Sequence, residues 1–176
     1  MPVIILAMHG APPIDFPTNE TVEMFNLHAR LEHVAEGESL SLQERYDQMD
    51  VKKRAWPRTP ENDPFHAGSI DIASKLQEVT QQEVILGFIE FCSPCLEQAF
   101  EQAIKSDPDK IIVITPKMTR GGEHSEVDIP AAIKRIESRY PEVSIEYIWP
   151  FDSAQVAQFL AAQITHFENR WLPFRP

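Results

Sequence analysis

The chain has 176 residues, and its 27 Asp and Glu against 16 Lys and Arg give a formal charge of −11. A protein this acidic lacks the broad cationic footprint that nucleic acid or an anionic membrane surface demands, which leaves small molecules and other proteins as partners. At 43% hydrophobic and 24% charged it is long enough for one sizeable core, so residues 1–176 are expected to form a single domain.

The first apolar run, Val3 to Met8, stops at His9-Gly10. It has no cationic segment before it and a polar stretch after it, so it reads as a strand buried on both faces of a sheet. Neither a signal peptide nor a membrane span fits, and a cytoplasmic location is expected. Residues 11–65 then carry six of the chain's 15 prolines and read as an insertion. Within it the spacing predicts a helix from about Thr18 to Val34. A second runs from a capping box at Ser41 and Glu44 to about Trp56, with Leu42, Tyr46 and Met49 on one face. Pro57 to Pro64 reads as an irregular loop.

From there strand and helix alternate. A helical stripe of Ile70, Ile72, Ala73, Leu76 and Val79 precedes a strand over residues 83–89 that ends at Glu90. Leu96, Ala99, Phe100, Ala103 and Ile104 form the next stripe, followed by the strand Ile111 to Ile114. Ile129, Ala132, Ile133, Ile136 and Tyr140 lead to a weaker fourth strand over 143–148, and Val156, Phe159, Leu160 and Ile164 close the pattern. The expected fold is α/β: a four-stranded parallel sheet flanked by helices on both faces, with a helical insertion after the first strand.

In such a sheet ligands bind beyond the carboxyl ends of the strands, where strand order switches. If the first strand is central, its end brings His9 and Gly10. The loop after the third brings Lys117, Arg120, Gly121, Gly122 and His124. Two neutral imidazoles at one rim suit a late first-row divalent metal such as Co, Fe, Ni or Zn, and Glu90 could add a carboxylate. Each histidine taken alone is as well explained as a hydrogen-bonded turn residue, and surface roles are expected for His28, His33, His66 and His166. Cys92 and Cys95 follow a strand and open a helix, as a thioredoxin-like dithiol would. The downstream proline strand of that fold has no good counterpart, since Pro116 follows too closely. No glycine-rich nucleotide loop, phosphate-binding loop or serine elbow is present, so no organic cofactor is expected.

The apolar strand ending in His9-Gly10, the segment Phe88-Ile89-Glu90 with Pro94 to Ala99, and Gly122-Glu123-His124 leading to Asp128-Ile129-Pro130 together resemble the small class II sirohydrochlorin chelatases. The resemblance spans residues 2–10 and about 83–160. It implies a chelatase-like half-module, a lyase that inserts cobalt or ferrous iron into sirohydrochlorin for cobalamin or siroheme synthesis. It also implies His9 and His124 as metal-binding and catalytic residues, with Glu90 in the same catalytic pocket. Gly10, Lys117, Arg120, Gly121 and Gly122 would line the tetrapyrrole, the divalent metal being a substrate rather than a resident cofactor. A homodimer with its sites facing a shared cleft follows from the same likeness.

The insertion departs from the short enzymes, and a comparable one forms a lip over the macrocycle in protoporphyrin ferrochelatases. Its Lys52, Lys53, Arg54 and Arg58 are candidates for pairing with substrate carboxylates, or else a solvated helix face. The alternatives are a metal-binding or delivery protein without catalysis and a dithiol oxidoreductase.

Overall fold

The structure is a computed structural model and describes residues 1–31 and 39–171. At its centre is β1 (Val3–Met8), buried at every residue, because an unbroken apolar strand needs cover on both faces. β2 (Glu83–Phe88) pairs with one edge of β1 and β3 (Ile111–Ile114) with the other, and β4 (Ile145–Tyr147) joins β3, all in parallel. The order β2-β1-β3-β4 puts the switch between β1 and β3, so their carboxyl ends flank the crevice that such sheets use for ligands. The expected strands are all present, β4 being shorter than the apolar run that suggested it.

One face is covered by α4 (Leu96–Lys105) and α5 (Ile129–Arg139), whose Phe100, Ala103, Ile129 and Ile136 pack on Ile5, Ala7, Ile111 and Val113. α3 (Pro64–Thr80) covers the other face over β1 and β2, where Ala73 and Leu76 meet Leu6, Met8 and Phe88. Asp63 starts α3 by accepting the His66 amide at 2.9 Å, with Pro64 in the first turn.

Two expected stripes are corrected. Ile70, Ile72 and Val79 of α3 are 49%, 47% and 82% exposed, because residues two apart cannot share a helix face and the α3 interface is built on Ser69, Ala73 and Leu76 instead. In α6 (Ser153–Trp171), Phe159, Leu160 and Ile164 remain 47%, 51% and 62% exposed and join no core cluster among the described residues.

In the insertion, α1 (Thr18–Leu31) and α2 (Ser39–Arg54) pack together through Met24, Leu27 and Met49, with Leu42 and Tyr46 alongside. The expected end of the first helix at Val34, and His33 with it, lie outside the described residues. α2 begins at Ser39, so Ser41 sits inside its first turn rather than before it. Lys52 pairs with Glu20 and Arg45 with Glu23 across the two helices. No described helix is long and apolar enough to cross a membrane.

Candidate metal centre

The segments following β1, β2 and β3 carry His9, Glu90 and His124 to one rim. One donor atom from each lies within 4.8 Å of the others, and all three residues are half-buried. The two imidazoles meet edge to face with centroids 4.5 Å apart.

The ring orientations follow from what each Nδ1 touches. His9 Nδ1 is 2.7 Å from the Gly10 carbonyl oxygen. That oxygen can only accept, so Nδ1 carries the hydrogen and the neutral ring keeps its lone pair on Nε2. His124 Nδ1 lies 2.5 Å from Asp128 Oδ2, which fixes the same tautomer and the orientation of the ring. Asp128 comes into reach because residues His124–Asp128 form a π-helical turn, closed by the Ile129 amide on the His124 carbonyl. Such turns recur at functional sites. Buried Ser125 donates to the Gly122 carbonyl at 3.1 Å, and Tyr147 of β4 donates to the Ser125 carbonyl at 2.9 Å. Burial, with Glu126 adding, pushes Tyr147 up to about 12, so its hydroxyl remains a donor.

Gly121, with φ +82°, makes the bend before this turn, and its amide donates to Glu126 at 3.0 Å. Expected to line substrate, Gly121 and Gly122 are seen to shape the backbone on which His124 rides.

Glu90 is placed by a different set of contacts. The Ile89 and Glu90 amides donate to the Met8 and His9 carbonyls, each at 2.9 Å, which extends the β1–β2 pairing into the loop. Gly10 adopts φ +95°, and a Cβ there would lie 2.0 Å from the Glu90 carbonyl oxygen, so only glycine lets the two strand ends approach this closely.

From the far side the insertion supplies two arginines. Arg54 donates to the Cys92 carbonyl at 2.7 Å and the Ile89 carbonyl at 3.2 Å, while its Nε holds Asp50 at 2.6 Å. Arg58 pairs with buried Asp63 and donates to the Phe91, Ala11 and Lys53 carbonyls. Both guanidinium groups are thereby committed to the loop that carries Glu90, which corrects their expected role as carboxylate partners of a substrate. Lys52, half-exposed on α2, pairs with Glu20 at 2.7 Å, as the solvated-face alternative expects.

Cys92 is fully buried and Cys95 half-buried, and neither is in a disulfide. Burial pushes the Cys92 thiol up, outweighing the Ala11 carbonyl contact, which is the reverse of the lowered thiol a redox dithiol requires. Lys117 is half-buried and Arg120 exposed, and neither forms an ion pair among the described residues. Arg120 lines an open groove of about 660 Å³ with Phe151 and Val156, whose lining contains none of the three donors. His66 is not a surface residue: it stacks on Phe88 with centroids 5.5 Å apart, and burial lowers its pKa.

Asp128, Tyr147 and Arg58 were not identified from the sequence as supports of the site. The four-residue spacing of His124 and Asp128 was a usable signal for the first, while the other two act on partners distant in the chain.

A family model described as CbiX matches residues 62–166. The chain is 35% identical over 82 residues to the sirohydrochlorin ferrochelatase of Priestia megaterium, covering 47% of this chain and 30% of that protein. It is 37% identical over 60 residues to the sirohydrochlorin cobaltochelatase of Methanopyrus kandleri, covering 34% of this chain and 41% of that one. The chain thus spans less than half the length of these curated relatives. In fold it is similar to a CbiX protein from Marinobacter aquaeolei VT8, with TM-score 0.52 and 15% identity over 97% of this chain and 99% of that one.

Proposed function

The chain belongs to the CbiX family, and from that premise we propose that it inserts Co²⁺ or Fe²⁺ into a tetrapyrrole of the sirohydrochlorin type. The observation that carries this reading is the convergence of His9, Glu90 and His124 within 4.8 Å at the sheet's switch point. Two imidazoles whose Nε2 atoms are free and one carboxylate can hold a borderline divalent cation and still leave positions for an incoming ligand. The relatives named as acting on sirohydrochlorin point to the substrate class.

In the reaction the cation enters the ring and two pyrrole N–H protons leave, so one dication replaces two protons and no electron is transferred. His9 and His124 present the metal through Nε2. Glu90, standing beside them, accepts a pyrrole proton, and a second leaves through a neutral imidazole once the metal has moved to the macrocycle. Asp128 stabilises the imidazolium that His124 then becomes. Lys117 and Arg120, which form no ion pair among the described residues, are the cations that this reading assigns to the peripheral carboxylates. A homodimer belongs to the same reading, with the exposed stripe Phe159, Leu160 and Ile164 of α6 as the surface for a second copy.

The test is an anaerobic absorbance time course of sirohydrochlorin with Co²⁺ or Fe²⁺, with and without protein. Acceleration that disappears in His9→Ala and His124→Ala supports the reading. A protein that binds Co²⁺ through these histidines yet adds nothing to the spontaneous rate is a metal carrier instead.

A further inference from the structure

Of the four cations Lys52, Lys53, Arg54 and Arg58, three are engaged by ion pairs or hydrogen bonds. Lys53 is not. Its side chain is completely buried, and its Nζ has no hydrogen-bond partner among the described residues. The ammonium sits instead among three rings, 5.2 Å from the centroid of Phe16, 5.7 Å from Phe25 and 5.1 Å from Phe91. Ring faces compensate part of a buried charge, but all three N–H donors still lack an acceptor. A buried cation without an oxygen partner is costly, and burial accordingly pulls Lys53 below the usual lysine range, against the opposing pull of Asp50 and Glu90.

Lys53 is one of the residues lining a cavity of about 60 Å³, together with Phe25, Tyr46, Asp50, Arg54, Glu90 and Phe91. That volume admits a few waters or a carboxylate with its adjoining methylene, and it excludes a macrocycle. Phe25, 55% exposed, forms its outer wall, so a chain end can enter from solvent while a ring remains outside. Of the two acidic walls, Asp50 is neutralised by Arg54 at 2.6 Å. Glu90 belongs to the triad of candidate metal donors, where a bound dication would offset its charge.

We propose that this cavity is a carboxylate-binding subsite in which Lys53 receives one carboxymethyl or carboxyethyl arm of the macrocycle while the metal is held next door. The insertion supplies Phe25, Tyr46, Asp50, Lys53 and Arg54, which lie outside the stretch matched by the family model, while Glu90 and Phe91 lie within it, so the subsite would anchor the substrate through the wall that Glu90 shares with the metal centre. This inference rests on the tetrapyrrole reading for the identity of the arm, whereas the carboxylate chemistry stands without it.

The test uses Lys53→Met, which keeps the length of the side chain among the three rings and removes the charge. Carbon-13 acetate is titrated by NMR into the full chain with and without Zn²⁺. Saturable binding at about 1–10 mM is expected for so small a ligand. It tightens when Zn²⁺ is present, and Lys53→Met weakens it by about tenfold or more. With sirohydrochlorin, the variant raises KM by about tenfold, the loss falling on KM more than on kcat, and the difference from wild type vanishes with the fully esterified macrocycle. Thermal unfolding checks that Lys53→Met is folded, and should it not fold, Lys53→Gln takes its place. Acetate binding that is absent from the wild type, or equal in wild type and variant, overturns the subsite. Acetate binding at Lys53 in a protein that inserts no metal keeps the subsite and overturns the chelatase reading.

Discussion

Replacing Gly10 by Ala adds one methyl group where β1 hands over to the loop that carries Glu90. The new Cβ would lie 2.0 Å from the Glu90 carbonyl oxygen and 3.3 Å from Cys92 Sγ. Real contacts do not fall below 3.0 Å, so the strand end and the loop must separate by about 1 Å. The loop cannot yield freely, since Arg54 and Arg58 hold the carbonyls of Ile89, Phe91 and Cys92 from the other side. Left-handed strain for Ala adds about 1–2 kcal/mol and overpacking about 1–3 kcal/mol, together about 2–5 kcal/mol. For a chain of this size that lowers Tm by about 5–20 °C. Moving one of three donors by about 1 Å also costs about a hundredfold in insertion rate.

Gly121→Ala is the matched control: its φ is +82°, but nothing among the described residues lies within 4 Å of the added Cβ. Strain alone, about 1–2 kcal/mol, is expected there. Thermal unfolding by circular dichroism gives the stability difference, and Co²⁺ titration followed by visible absorbance reports the donor geometry. Equal Tm and equal Co²⁺ spectra for the two variants would refute the close approach of Gly10 to the Glu90 loop as the constraint that assembles the site.

Asp128→Asn keeps the shape of the side chain but removes the charge that orients His124. Co²⁺ affinity by calorimetry is expected to fall about 10- to 100-fold with little change in Tm, and an affinity within twofold of wild type would exclude the positioning role. His66 gives a pH dependence. Burial, opposed by Asp63 and helped by Arg58, holds its folded pKa below the ordinary 6.5. Between the two values the unfolded chain binds more protons. The contribution to stability is therefore complete above about pH 6.5 and declines as pH falls toward the folded value. Urea unfolding of wild type and His66→Gln between about pH 5 and 8 measures it, and an unchanged slope in the variant would assign the dependence to other groups.

The layout of the site was legible because the strands of an α/β sheet are short apolar runs and their carboxyl ends can be read directly. His9, Glu90 and His124 each follow such a run, and parallel order with β1 central is enough to bring the segments after them to one rim. The histidine spacing of the π turn is also a local feature, whereas the need for glycine at position 10 comes from the Glu90 carbonyl, distant in the chain. Helix packing was less legible. Ile70 and Ile72 look like core residues in a list of apolar positions, yet helical geometry sends them to different faces. The stripe of α6 has the right period and still lies exposed, because a period says which side chains share a face and not whether another surface meets it.

The insertion marks the boundary most clearly. Proline clustering sets residues 11–65 apart from the strand and helix alternation, with four cations gathered near the segment's end, and at that level Lys52, Lys53, Arg54 and Arg58 are equivalent. Tertiary structure separates them. Lys52 meets Glu20 on a neighbouring helix, Arg54 and Arg58 clamp carbonyls more than thirty residues away, and Lys53 is enclosed by rings from α1, the loop before it and the Glu90 loop. Residue type and periodicity are properties of the chain alone. The partner of a charge depends on which distant segments fold against it, and only the folded coordinates supply that.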